Sequence, residues 1–200
     1  YDLDQVKNGI DFLKFKLTES SRSLHKQRVK HASKLSLELT EKIQNLKMNG
    51  AVIKLELEEL KDFNDLGTTK ANFMAETNPG EGFFKVKEVA SGGELSRILL
   101  AVRQILAAYD SISIFLFDEI DTGIGGETAI CIGKALSQVA KNGQVIAITH
   151  LPQIAQFAES LIVVNKDIQS EDKKSRTESS VKELSGKMIL KEAQSMAQLN

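Results

Sequence analysis

Apolar positions in the first part of the chain recur every three or four residues. Leu3, Val6, Ile10, Leu13, Leu17 and Leu24 follow a heptad-like spacing, and Val29, Ala32, Leu39, Ile43 and Leu46 resume it in a shifted phase. This predicts one long helix with a stutter over residues 1–48. Such a stripe must be buried against a partner, and no second stretch supplies an equally long mate. Asn49-Gly50 reads as a helix stop. After it Ala51, Ile53, Leu55 and Leu57 alternate with Val52, Lys54, Glu56 and Glu58, and Ala71, Phe73, Ala75 and Thr77 alternate likewise before the turn Asn78-Pro79-Gly80. Period two in both stretches predicts an antiparallel strand pair.

From Gly93 onward the period changes again. Leu95, Ile98, Leu99, Val102, Ile105, Leu106 and Tyr109 form one stripe of a helix. IFLFDE (114–119) is a short apolar run ending in two carboxylates, the pattern of a buried strand in a parallel sheet. A helix is expected from about Glu127 to Lys141, then a second buried strand, QVIAI (144–148), running into Thr149-His150. The order is β-α-β, and the fold class is α/β. The polar segment 166–180 reads as a flexible loop, followed by a last amphipathic helix from about Val181.

Composition narrows the picture. With 200 residues, 42% hydrophobic and 26% charged, the chain is able to bury a core and has the profile of a soluble globular protein. The single Cys131, in the run AICIG, reads as a small buried thiol; one cysteine builds no disulfide framework, and a reducing, cytoplasmic setting is expected. No run approaches the roughly 18 apolar residues of a membrane span, so no membrane partner is expected. The chain opens on Tyr1 rather than Met, which suggests a piece of something longer. Net charge is −1, yet between Lys16 and Lys34 six basic residues face Glu19 alone. Such a stripe either neutralises phosphates on nucleic acid or is simply a solvated helix face.

Two constellations carry chemistry. Ser91-Gly92-Gly93-Glu94 stands at the mouth of a helix, where exposed N–H groups and the positive helix end suit an anion such as phosphate. The same four residues also fit an ordinary capping box, Ser91 capping and Glu94 closing it. The second constellation is Asp118-Glu119 and His150, placed by two parallel strands at the carboxyl edge of a sheet, where α/β proteins bind ligands. The first carboxylate of such a pair is able to hold Mg²⁺ and the second to polarise an attacking water. A helix cap or a lysine partner is the alternative for the carboxylates, and a structural role the alternative for His150.

In this order and spacing, SGGE (91–94), IFLFDE (114–119), DTGIGG (121–126) and AITH (147–150) resemble the signature motif, Walker B, D-loop and H-loop of an ABC-type ATPase head. Within that superfamily VASGGELSR, FDEIDTGIGG and THLPQIA are most similar to the RecN family, the SMC-like ATPases of bacterial DNA double-strand break repair. The resemblance covers about residues 50–165 by motif and the flanks by organisation. It implies the C-terminal lobe of an ABC/SMC-type P-loop ATPase head (49–200) with a preceding, returning coiled-coil helix (1–48). It further implies that Ser91, Gly92, Gly93 and Glu94 touch the γ-phosphate of ATP held by the opposite head of a homodimer, and that Asp118 supports Mg²⁺. Glu119 would be the general base, Asp121 part of a D-loop crossing the dimer interface, and His150 the γ-phosphate sensor. The implied cofactors are ATP and Mg²⁺; the implied partners are the N-terminal head lobe, a second head and DNA, in a cytoplasmic, nucleoid-associated setting.

One departure is large. No G-x-x-x-x-G-K-[ST] occurs: neither Gly133-Lys134 nor Gly186-Lys187 is followed by Ser or Thr, and neither has the upstream Gly in register. In the family this phosphate loop lies in the N-terminal lobe, so the chain is expected to be inactive alone. A transporter-type subunit would need a Q-loop and a transmembrane partner, neither indicated here. A non-enzymatic scaffold would have no reason to keep Glu119.

Overall fold

A computed structural model of the chain describes residues 2–107, 109, 112–169 and 176–199. Two compact units divide between Ala90 and Ser91.

The first unit is built on helix α1 (Leu3–Asn45), about 65 Å long at 1.5 Å per residue. Asp2 caps its start, its carboxylate accepting from the Asp4 N–H. The helix ends a turn before Asn49-Gly50, because Lys47 takes a left-handed conformation (φ 62°) and the Lys47 and Met48 N–H groups donate back to the Gln44 and Ile43 carbonyls. That is the Schellman arrangement, here closed by a lysine where glycine is commoner. Gly50 (φ 80°) turns the chain against Pro79, whose ring leaves no room for a Cβ.

Strands β1 (Val52–Asn64) and β2 (Gly67–Glu76) pair antiparallel, with Ile53 opposite Ala75, Leu55 opposite Phe73 and Leu57 opposite Ala71, so the two alternating patterns share one face. The short β3 (Phe84–Lys85) extends the sheet beside β2 and leads into α2 (Val86–Val89). Leu39, Ile43 and Leu46 of the helix root bury against Ala51, Ile53, Ala75 and Val86. Two hydroxyls of α1 complete the backbone bonding of β1: Thr40 Oγ1 accepts from the Ile53 N–H and donates to its carbonyl, and Ser36 Oγ accepts from the Leu55 N–H. Leu3, Val6, Ile10, Leu13, Leu17 and Leu24 remain exposed, so the first half of the stripe has no mate among the described residues.

The second unit begins with α3 (Gly92–Leu106), followed by β4 (Ile114–Phe117), α4 (Gly126–Ala140), β5 (Gln144–Ala147) and α5 (Pro152–Ala155). β4 and β5 pair in parallel, Ile114 opposite Gln144 through Phe117 opposite Ala147, confirming the β-α-β order. Phe117, Ile120, Ala129, Ile132, Val139, Leu100 and Ala101 form the core. The apolar runs predict strands buried on both faces, but Ile114 (58% exposed), Leu116 (63%), Ile146 (46%) and Ile148 (56%) leave one face of the sheet open. In α3 the buried side is Gly93, Arg97, Ile98, Leu100 and Ala101, while Leu95, Leu99 and Leu106 stay exposed and the helix stops before Tyr109. Cys131 is half-buried rather than buried.

The tail corrects the sequence reading. The segment expected to be a flexible loop carries two strands, β6 (Ser160–Gln169) and β7 (Arg176–Ser185), paired from Ser160–Ser185 to Gln169–Arg176; residues 170–175 lie outside the described ones. The final helix α6 starts at Lys187, after Gly186 (φ 56°), not at Val181, which is in β7. From Val164 to Lys166 and from Glu178 to Glu183 the ribbon exposes its side chains. A two-stranded ribbon wet on both sides has no apolar face to print period two on its sequence.

Candidate functional site

The short connection after β4 organises the site. Phe117 is buried, and the next residues turn sharply: Glu119 has φ 56°, in the left-handed region that a non-glycine residue occupies at a cost of about 1–3 kcal/mol. The Asp118 carboxylate accepts from the Glu119 N–H at 2.9 Å, and the Glu119 carbonyl accepts from the Thr122 N–H. Asp118 and Glu119 are both exposed at the carboxyl end of β4, as the sequence pattern predicts.

The start of α3 lies against this turn. Ser91 is the N-cap and the capping box is present: its hydroxyl accepts from the Glu94 N–H (3.3 Å) and the Glu94 carboxylate accepts from the Ser91 N–H (2.8 Å). The glycines serve close approach. A methyl at Gly92 would overlap Glu119 Oε2, and one at Gly93 would come within 3.1 Å of the Glu119 carbonyl and of Thr122 Cβ. Ser91 and Gly92 remain exposed, so the helix end is capped and still faces outward.

Two residues that the sequence pattern did not single out hold these parts together. Ser96 Oγ donates to the Asp118 carbonyl at 2.8 Å, and Arg97, only 7% exposed, directs Nη1 at the carbonyls of Thr122 (3.3 Å) and Ile120 (3.5 Å). Burial holds the Arg97 guanidinium below the ordinary arginine range, with Glu94 drawing it partly back. Ser96 and Arg97 lie between the positions of the apolar stripe, so the periodicity of α3 gives no sign of these contacts.

Asp121 ties the second strand to the same place. It is 5% exposed, and its Oδ2 accepts from Thr149 Oγ1 (2.6 Å) and from the His150 N–H (2.9 Å), with His150 Nδ1 at 3.1 Å. A carboxylate oxygen accepts, so His150 Nδ1 is the donor in this contact and Nε2 is left for another partner. The His150 side chain is 71% exposed. Ser91, Gly92, Gly93, Glu94, Asp118, Glu119, Asp121 and His150 thus gather at one edge of the β4–β5 sheet. Among the described residues no group of three or more His, Cys, Asp or Glu is placed to hold a metal by itself.

No family model matches the chain. Curated relatives do. It is 33% identical over 169 residues to the DNA repair protein RecN of Vibrio cholerae, covering 84% of this chain and 30% of that protein. For RecN of Deinococcus radiodurans the identity is 36% over 191 residues, covering 96% of this chain and 33% of the relative. The chain belongs to the RecN family. It spans about a third of the length of the RecN relatives it matches and corresponds to a C-terminal portion of such a protein.

Solved structures give the fold. An Smc head domain with coiled coil and joint from Pyrococcus yayanosii matches 98% of this chain and 34% of its own, with TM-score 0.63 at 20% identity. An Smc head with extended coiled coil from Pyrococcus furiosus, bound to the C-terminal domain of ScpA, matches 96% of this chain and 43% of its own, with TM-score 0.58 at 22% identity. At these identities the likeness is one of fold: this RecN-family chain has the fold of an SMC head of the ABC ATPase class. Among the described residues no helix is long and apolar enough to cross a membrane.

Proposed function

We propose that the chain is the C-terminal lobe, residues 49–200, and the returning coiled-coil helix, residues 1–48, of a cytoplasmic SMC-like ATPase of DNA double-strand break repair and recombination. ATP binding pairs two heads and hydrolysis releases them, regulating how DNA is held. One observation carries the reading: the SGGE helix end, the Asp118-Glu119 turn and the Asp121–His150 pair converge on one sheet edge through Ser96, Arg97 and Thr149.

The residues present fit the implied groups. Asp118 is exposed, and a single carboxylate suits Mg²⁺, which takes one or two carboxylates, substrate phosphates and water rather than a full protein cage. When bound, the ion neutralises charge developing on the transferred phosphoryl group. Glu119, exposed beside it, takes the proton of the attacking water. His150, its ring held at Nδ1 by Asp121, donates an Nε2–H to the γ-phosphate. Within the signature Ser91, Gly92, Gly93 and Glu94, the N–H groups of Gly92 and Gly93 and the Ser91 hydroxyl hydrogen face the nucleotide of the opposite head, while the N–H groups of Ser91 and Glu94 are taken by the capping box. Asp121 sits in the D-loop and serves there by fixing the H-loop. The P-loop comes from the N-terminal lobe, which also covers the open face of Ile114, Leu116, Ile146 and Ile148, and supplies the mate for the α1 stripe.

ATP turnover tests the reading. This chain alone is expected to be inactive and to gain turnover on addition of the N-terminal lobe. In the complete protein Glu119→Gln should lower hydrolysis by about 10²–10⁴-fold, the span of a lost general base, while ATP-dependent head pairing persists. Unchanged turnover would remove Glu119 from that role.

A further inference from the structure

We infer that the outward face of α1 between Lys16 and Lys34 binds the phosphate backbone of duplex nucleic acid; the inference rests on the proposed repair role and gives it a surface. Lys16, Ser20, Ser23, Gln27, Lys30 and Lys34 follow one another at intervals of four and three, which places them on a single line along the helix, and all six are exposed. Lys26 flanks the line. No Asp or Glu occurs between Glu19 and Glu38, and these two meet only Arg22 and Lys34, each at 3.7 Å across exposed surface where ion pairs are weak. Lys16 Nζ lies 4.6 Å from the Phe12 ring centroid.

The face is the one that the rest of the fold leaves alone. At 3.6 residues per turn the line runs roughly 150° around the helix from the residues packed on the β1–β2 hairpin, and roughly 100° from the exposed apolar stripe. Ser21, Ala32 and Leu39 are buried on the hairpin side, where His25 Nδ1 meets Thr69 Oγ1 at 3.0 Å and Arg28 donates to the Leu66 carbonyl at 2.8 Å. A coiled-coil mate seated on Leu3 to Leu24 therefore leaves the basic line accessible.

Its chemistry selects the partner. Ammonium groups at the two ends of the line, with hydroxyl and amide donors between them, are side chains of the kind that contact phosphate oxygens. From Lys16 to Lys34 there is no Phe, Tyr or Trp, and the one exposed ring that continues the line, Phe12, carries the Lys16 ammonium; a row of phosphate-binding groups without successive stacking rings favours a duplex backbone over single strands. The line is about 27 Å long, the length of roughly eight base pairs of duplex axis at about 3.4 Å each.

The test is the salt dependence of binding of a fluorescent duplex to the complete protein, between about 50 and 200 mM salt. Lys16, Lys30 and Lys34 all changed to Gln should reduce the slope of log K against log salt by about 2.7 and weaken binding to every sequence alike. A matched variant with Lys61, Lys134 and Lys141 changed to Gln should keep the wild-type slope, and ATP-dependent head pairing should survive in both. An unchanged slope in the first variant, an equal loss in the second, or single strands bound more tightly than duplex would overturn the inference and leave the ATPase reading standing. Complete protein that binds no duplex would overturn the repair role along with it.

Discussion

Replacing Asp121 tests whether one buried carboxylate positions the loop that ends in His150. In Asp121→Ala the His150 N–H and the Thr149 hydroxyl lose their shared acceptor, and His150 Nδ1 loses its orienting partner. A hydrogen bond to a charged group contributes about 1.5–3 kcal/mol. Thr149 is able to rotate toward another acceptor, and removing a buried charge returns part of its desolvation. The net loss is therefore about 2–4 kcal/mol local to residues 148–151. At 1.4 kcal/mol per factor of ten, local opening should become about 30- to 1,000-fold more frequent. Hydrogen exchange followed by mass spectrometry in the complete protein reads this directly as faster exchange of the peptide spanning Ile148 to Leu151. Asp121→Asn keeps one oxygen for the main-chain N–H and should lose only about 1 kcal/mol, so its exchange should rise by less than tenfold. Wild-type exchange in Asp121→Ala would refute the assignment of the loop to this carboxylate.

Two further substitutions probe the surroundings. Gly133→Ala brings a methyl into the Phe157 ring, within 2.8 Å of Cε2; an open helical site would gain about 1 kcal/mol from the change, but here a net loss of about 1–2 kcal/mol is expected from overpacking. Denaturant midpoints should show it, with recovery when Phe157 is also changed to Leu, and a stabilised single variant would disprove the contact. Ser91→Arg adds bulk and charge at the exposed helix end and should abolish ATP-dependent head pairing in the complete protein, measured by sedimentation; normal pairing would sink the signature assignment.

The sequence is legible where burial imposes a period. The β1–β2 pairing follows from the alternation of Ala51 to Leu57 and of Ala71 to Thr77, and in the structure Ile53 faces Ala75. Asp118, Glu119 and His150 stand at strand ends because the apolar runs IFLF and QVIA end there. Three features escaped, each for a physical reason. The β6–β7 ribbon is wet on both sides along much of its length, so its strands look like a polar loop. The open face of Ile114 and Leu116 is invisible to a composition-based reading, because an apolar run is the same whether its cover lies inside the chain or outside it. The role of Arg97 depends on carbonyls 23 and 25 residues away, brought near by the turn at Glu119, and no local pattern encodes that.

Ser36 and Thr40 have a mechanical consequence. Their hydroxyls lock the helix root to β1 at fixed heights: a slide of α1 by one turn, about 5.4 Å, would bring one hydroxyl to the other's partner and leave one of the two N–H groups unbonded, and a smaller slide would leave both the Ile53 and Leu55 N–H groups unbonded. The root of the arm is thus a clamp rather than a sliding bearing. Motion arriving along α1 reaches this unit as tilt or twist of helix and hairpin together, and the axial register of α1 on the hairpin is set by two hydroxyl groups.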